Sequence, residues 1–200
     1  MVSTIIIASG NQDKVAEIRE IMARPGLRIK TLAEFENTPA VVEDGNTLYE
    51  NALKKARVIY KSLGVPVLSD DTGLEVDYLD GAPGVFSARY AGEDATYEDN
   101  VQKLLRELRS VPRKNRSARF RTVAVFFDGQ QDLSGEGTVE GIITEEPRGD
   151  GGFGYDSVFE ALETKQTFGE MNGKAKNAIS HRGRALRNLY LTLQQHNILS

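Results

Sequence analysis

The amino-acid sequence predicts an α/β protein, and three observations carry the prediction. A β-branched run near the start feeds through a glycine-containing turn into a helical period. A second apolar run, at 65–76, leads into paired carboxylates. Two long runs of strand character at 118–144 flank an Asp-Gly turn. At 200 residues the chain fits one domain, or one domain with two lobes. Such a chain buries roughly 70% of its unfolded surface and needs no disulfide or metal staple.

Composition narrows the function classes. Hydrophobic residues make up 40% and charged residues 27%, as in an ordinary soluble globule. A net charge of −4 provides no global basic field with which to hold duplex nucleic acid. The absence of cysteine excludes disulfides and thiolate metal sites and fits a reducing compartment. The longest apolar runs, at 4–8 and 123–127, are too short to span a bilayer, and no basic leader with an apolar h-region is seen. The expectation is a soluble, cytoplasmic protein without a nucleic-acid or membrane partner.

Residues 3–8 read as a buried strand. Ser9-Gly10-Asn11-Gln12-Asp13-Lys14 follows, and Val15, Ile18, Ile21 and Met22 then repeat with helical period. Asn11 is a candidate N-cap, which places Lys14 in the first turn, where a cation opposes the helix dipole. Two readings stand: a surface lysine paired with Glu17, or a lysine sharing the helix end with a bound anion. The spaced Gly-Lys-Ser/Thr of a Walker A loop is absent. Residues 28–32 read as an edge strand.

Glu43-Asp44-Gly45-Asn46 is a polar turn, and Thr47-Leu48-Tyr49-Glu50 has the form of a capping box. The helix it opens runs to about residue 63, with Leu48, Ala52, Ala56 and Ile59 on the buried side. Asn51 and Lys55, four apart, share a face. Glu50 is the capping partner. Glu43 is either a solvated loop carboxylate or a metal ligand.

The stretch at 65–76 organises the chain. An apolar strand runs into Ser69-Asp70-Asp71-Thr72-Gly73, and Asp-Asp-Thr-Gly alone has the chemistry of a turn. Side chains alternate along a strand, so Asp70 and Asp71 start on opposite faces. One can pair locally while the other projects into a cleft at the strand's end, where one or two carboxylates hold Mg²⁺.

Residues 79–85 form a tight glycine- and proline-rich loop, and 87–90 a short helical turn whose Arg89 meets an anion or an acidic neighbour. Thr96 starts a helix with Tyr97, Val101, Leu104, Leu105 and Leu108 on its core face. Residues 111–117 read as a solvated basic linker. Residues 118–127 and 132–144 read as an antiparallel pair turning around Asp128-Gly129, with Gly135, Gly137 and Gly141 marking bulges or close approach. Residues 149–156 pack four glycines around Phe153, Tyr155 and two acids, either a hinge or a way to offer a flat ring to a base. A short strand follows at 157–159. Ser180 caps the last helix, with Leu186, Leu189, Tyr190 and Leu193 on its buried face. His181 and Arg182 then occupy its first turn, and His196 lies on the surface.

Taken together, these blocks resemble the inosine triphosphate pyrophosphatase family over nearly the whole chain. The resemblance rests on six blocks in order: Ser9 to Glu17; Glu43-Asp44-Gly45 with Glu50-Asn51-Ala52; Ser69 to Leu74; Gly81 to Val85 with Ser87 to Tyr90; Gly151 to Asp156; and Ser180 to Gly183. Thr72 stands where many relatives have serine, and keeps the hydroxyl; Ser69 stands where alanine is frequent. The resemblance implies an elongated two-lobed α/β fold, with a long mixed β-sheet flanked by helices and the active site in the cleft between the lobes. It also implies a homodimer and dependence on Mg²⁺. Carried onto matching positions, Ser9, Gly10, Asn11, Gln12, Asp13 and Lys14 form a phosphate loop, and Lys14 and Lys55 pair with phosphate oxygens. Glu43 and Asp71 belong to the metal and attacking-water centre, with Asp71 catalytic. Thr72 contacts substrate. Phe153, Gly154, Tyr155, Asp156, Lys176, His181 and Arg182 form the nucleobase pocket.

The implied reaction is hydrolysis of a non-standard purine nucleoside triphosphate (ITP, dITP or XTP) to the monophosphate and pyrophosphate. Arg182 only donates hydrogen bonds, so it suits a 6-oxo group and not adenine's 6-amino group. Guanine shares the 6-oxo group, so its rejection has to come from the 2-amino position. The rival readings are a related pyrophosphatase for other nucleotides, a nucleotide sensor without turnover, and a nucleic-acid-binding module, the last lacking any basic face.

Overall fold

A computed structural model describes residues 1–199. Strand β1 (Thr4–Ile7) pairs in parallel with β2 (Arg28–Thr31), Thr4 opposite Arg28. On its other side it pairs in parallel with β3 (Val67–Val76), through Ile6 opposite Val67 and Ile7 opposite Leu68. Parallel neighbours need crossovers. The first is made by α1 (Gln12–Met22), and α2 (Leu48–Leu63) leads from β2 to β3. Then come β4 (Pro83–Gly84), antiparallel to the far end of β3, and α3 (Tyr97–Glu107). They are followed by β5 (Ser117–Phe127), β6 (Asp132–Ile143), β7 (Phe159–Ala161), α4 (Gly173–Ile179) and α5 (His181–Gln195). The mixed sheet has the order β2-β1-β3-β5-β6-β7, with β4 beside β3 and β2 at an edge. Among the described residues no helix is long and apolar enough to cross a membrane.

Helix starts follow the sequence chemistry. The Asn11 side chain accepts from the amides of Asp13 and Lys14, and Thr47 with Glu50 closes the capping box of α2. Gly64, at φ 64°, ends α2 in the left-handed region that favours glycine. The Asp-Asp-Thr-Gly segment does not turn. It lies inside β3, which has β5 along one edge and β1 then β4 along the other, so strand pairing overrides local turn preference.

The chain gathers into two compact units. The first comprises residues 1–71, 122–137 and the chain from 181 onward. Its core joins Ile5, Ile7 and Leu68 of the parallel strands to Ile18 and Met22 of α1 and Leu186, Leu189 and Leu193 of α5. Here β6 and α5 touch backbone to backbone. A Cβ on Gly135 would stand 2.3 Å from the Leu189 nitrogen, and one on Gly137 would stand 2.1 Å from the His181 carbonyl oxygen. Close approach, and not flexibility, is what these glycines permit, and it fixes where α5 begins.

The second unit comprises residues 72–121 and 138–180. Its core packs Val101, Leu104 and Leu108 with Leu74, Val139 and Ile143 and a cluster of phenylalanines, Phe120 lying 4.6 Å from Phe159 between ring centroids. Three sequence expectations are corrected, and one helix is added. Tyr97 is not core: it is 44% exposed and lies against Phe153. The short strand starts at Phe159, not at 157, because the amides of Val158 and Phe159 are taken by the Tyr155 carbonyl in a turn. The basic linker is not simply solvated: Arg116 is 3% exposed and donates to the carbonyls of Leu108, Val111 and Thr144, the first of them at the C-cap of α3, where helices leave carbonyls unsatisfied. Helix α4, seven residues capped by Asn172, has no counterpart in the sequence reading, being too short for a clear period.

Glu160, buried in the second unit, accepts from Arg113 at 2.7 Å and Arg148 at 2.6 Å. Burial works to raise its carboxyl, but the two guanidiniums outweigh it and hold the group below its usual range. A carboxylate depressed in the folded state stabilises above its unfolded pKa of about 4.3 and loses that contribution as pH falls through the folded value. Glu160→Gln is therefore expected to be less stable than wild type in urea melts at pH 7. The two proteins should converge as the pH is taken well below about 4; a gap independent of pH would refute the ion-pair account.

Candidate active site

The geometry of the first unit follows from where β1 stops. β1 ends at Ile7 and passes into the loop before α1, whereas β3 continues past its last pairing with β1 at Leu68. Asp70 and Asp71 are the next carboxylates along β3, and both are buried. Strand alternation gives them different partners. Asp70 lies 3.6 Å from the Lys14 Nζ and accepts from the Arg182 Nε at 3.0 Å. Arg182, in the first turn of α5 and 2% exposed, also donates through Nη1 to Glu17 of α1. Asp71 accepts from the Asn51 Nδ2 at 3.0 Å. Lys55 Nζ lies 3.8 Å from Asp71 Oδ1 and donates at 2.8 Å to Glu43. Of the two readings for Lys14, the surface pair with Glu17 gives way: Lys14 turns to Asp70, and Arg182 takes Glu17.

The electrostatics are those of a buried cationic cluster on two adjacent carboxylates. Burial works to raise the Asp70 carboxyl, but Lys14, Arg182 and Lys55 outweigh it and hold the group well below the usual carboxylate range. Burial pushes the Asp71 carboxyl up, with Glu43 adding to it and Lys55, Lys14 and Asn51 pulling the other way. The Lys14 amine is lowered, chiefly by burial, which Asp70 opposes. Burial works to lower the Lys55 amine too, but Asp71, Glu43 and Asp70 outweigh it and leave it raised. Lys14, Lys55 and Arg182 thus bring three cations to one buried locus. Desolvating that many charges is costly, which marks the cluster as a functional candidate.

The loop 9–14 is held by its own side chains. The Asn11 amide donates to Ser9 Oγ at 3.2 Å, and the Asn11 Oδ1 takes the amides of Asp13 and Lys14. A Cβ on Gly10 would meet nothing within 4 Å, so protein packing does not require glycine there. Gln12 and Asp13 are exposed. Among the described residues no group of three or more Asp, Glu or His is arranged to hold a metal ion. Glu43 and Asp71, gathered on one amine, still fit a hard cation, since Mg²⁺ is commonly bound by one or two carboxylates plus substrate phosphates.

The second unit holds the other group of candidates. Asp156 accepts from the Phe153 amide at 2.8 Å and from Lys176 Nζ at 2.5 Å, and the Lys176 amine stands 4.7 Å from the Phe153 ring centroid. Tyr155 donates at 2.9 Å to the Ser87 carbonyl. Gly152, at φ 71°, leaves room for the Asp156 carboxylate, which a Cβ would meet at 2.0 Å. Residues 152–156 therefore form a pinned turn and not a loose hinge. Thr72, half-buried on β3, belongs to this unit, whereas His181, 3% exposed, starts α5 in the first. Sequence reasoning did not assign Asp70 and Glu17, the partners of Arg182. The alternation argument allowed for one aspartate pairing locally, but nothing in the spacing of Glu17 points to a residue 165 positions away.

Comparison with known proteins identifies the family of the chain. The Ham1 family profile matches residues 5–191. The dITP/XTP pyrophosphatase of Bacillus licheniformis is 48% identical over 192 residues, covering 96% of this chain and 98% of that protein. The dITP/XTP pyrophosphatase of Geobacter sulfurreducens is 48% identical over 183 residues, covering 91% and 92%. Among solved structures, a HAM1 protein from Coxiella burnetii matches with a TM-score of 0.87 at 40% identity, over 98% of this chain and 100% of that one. The Staphylococcus aureus Ham1 protein matches with a TM-score of 0.85 at 36% identity, over 96% and 99%. With sequence and backbone both matched from end to end, this chain belongs to the Ham1 family.

Proposed function

We propose that this chain is a nucleoside-triphosphate pyrophosphatase. It hydrolyses dITP, XTP and ITP to the monophosphate and pyrophosphate, with Mg²⁺, as a cytoplasmic homodimer that clears deaminated purines from the nucleotide pool. The observation that carries the reading is the pair of lysines, half-buried Lys14 and buried Lys55, on the adjacent buried carboxylates Asp70 and Asp71. It is supported by relatives that bear the name dITP/XTP pyrophosphatase.

Water attacks the α-phosphorus, and the pyrophosphate leaves. Transfer at phosphorus asks chiefly for positioning and charge neutralisation. Lys14 and Lys55 supply two amines for phosphate oxygens, and the Ser9–Lys14 loop supplies backbone donors. Glu43 and Asp71 would hold the cation, which would orient the triphosphate and activate water. Asp71 keeps the attacking water on line. Asp70 carries no chemistry of its own: it stays anionic and aims Lys14 and Arg182. Arg182, held by Asp70 and Glu17, presents donors to a 6-oxo purine with His181 beside it. In the second unit Phe153, propped by Asp156 and Lys176, offers a ring on which a base can stack. Thr72, Gly154 and Tyr155 are assigned to substrate contact by the family resemblance alone.

Two outcomes test this reading. With Mg²⁺ present, pyrophosphate release should favour dITP and XTP over dATP by at least about 100-fold in kcat/KM, the scale expected when a buried donor faces a donor; comparable values would overturn the pocket assignment. Asp71→Asn should lower kcat for dITP by at least about 100-fold. Near wild-type turnover in that variant would remove Asp71 from the mechanism.

A further inference from the structure

Asn51 has no role in the chemistry described so far, yet it is 1% exposed and joins both carboxylate-bearing segments. Its Oδ1 accepts the Gly45 amide at 2.8 Å, and its Nδ2 donates to Asp71 Oδ2 at 3.0 Å. Only one orientation of the carboxamide satisfies both partners, because a backbone N–H needs an acceptor and an ionised carboxylate needs a donor. The turn is shaped to meet it. A Cβ on Gly45 would stand 2.7 Å from the Asn51 Oδ1 and 2.9 Å from the Glu50 Cβ, so this approach requires a residue without a side chain. Glu43 lies two residues before that glycine, and Lys55, one helical turn beyond Asn51, reaches the same two carboxylates. Asn51 engages one oxygen of Asp71, and Lys55 faces the other.

We propose that Asn51 is a positioning residue for hydrolysis, its carboxamide fixing the Asp71 carboxylate and the Glu43 turn in one relative geometry. The proposal rests on the pyrophosphatase reading above. Lys55 alone is insufficient for this purpose: a flexible amine exerts a charge on Asp71 but does not set its rotation, whereas a planar amide tied to a backbone N–H does. Partners that orient a ligating carboxylate typically cost 10–100-fold in metal affinity or activity when removed.

The test compares wild type with Asn51→Ala, which breaks the bridge from the helix side, and Gly45→Ala, which breaks it from the turn side. Glu50→Ala serves as the control: it releases the Thr47 and Asn46 amides at the same helix end but leaves both hydrogen bonds of the Gly45–Asn51–Asp71 bridge in place. Steady-state kinetics with dITP, thermal melting, and calorimetric titration of Mg²⁺ into protein saturated with a non-hydrolysable α,β-imido analogue of dITP are measured on each. Both bridge variants are expected to lose at least about tenfold in kcat with KM for dITP within about threefold, and at least about tenfold in Mg²⁺ affinity. Glu50→Ala is expected to melt earlier with kcat and Mg²⁺ affinity unchanged. If Asn51→Ala behaves as Glu50→Ala does, the residue is only structural and the proposal is overturned. Wild-type protein that releases no pyrophosphate from dITP would instead overturn the functional reading, and this inference with it.

Discussion

The structure depends on how two consecutive buried carboxylates are charged and held. Asp70 and Asp71 sit inside a strand, and carboxylates buried there without partners would cost several kcal/mol each or be forced to protonate. They are kept by cations recruited from three helices: Lys14 from α1, Lys55 from α2 and Arg182 from α5. The first unit of the fold can be understood as the scaffold that delivers those three groups. Removing any one of them would leave a buried carboxylate short of its counter-charge, so site integrity and folding are coupled here.

Delivery relies on backbone features that carry no charge. β1 stops before β3 does, which lets the loop ahead of α1 lie beside the aspartates. The capping box of α2 sets the phase that puts Asn51 and Lys55 on one face. Gly135 and Gly137 let α5 press its backbone onto β6, fixing the first turn from which Arg182 reaches Asp70. In the second unit the same logic recurs at smaller scale, where positive-φ glycines let Asp156 close on the Phe153 amide and on Lys176.

Much of this was legible in the sequence because the signals are local. The helix caps at Asn11 and Thr47, the edge position of β2, the turn between β5 and β6, and the meaning of Gly135 and Gly137 follow from residue chemistry and period. The opposite facing of Asp70 and Asp71 followed from strand alternation alone. What was hidden depends on distant partners. The turn-like Asp-Asp-Thr-Gly stayed extended because neighbouring strands claim its backbone. Arg116 looked like linker charge until the carbonyls of Leu108 and Val111, just past α3, appeared around it. Tyr97 matched the helical period but finds Phe153 instead of the core. The Arg182–Glu17 contact has no local signature at all.

The central claim is that Lys14, Lys55 and the Asp71 carboxylate serve one bound triphosphate. A crystal structure with Mg²⁺ and the α,β-imido analogue of dITP tests it most directly. The account predicts phosphate oxygens within hydrogen-bonding distance of both lysine amines and the cation coordinated by Asp71. A triphosphate bound elsewhere, with the Lys14–Asp70 and Lys55–Asp71 contacts undisturbed and no cation at Asp71, would contradict it.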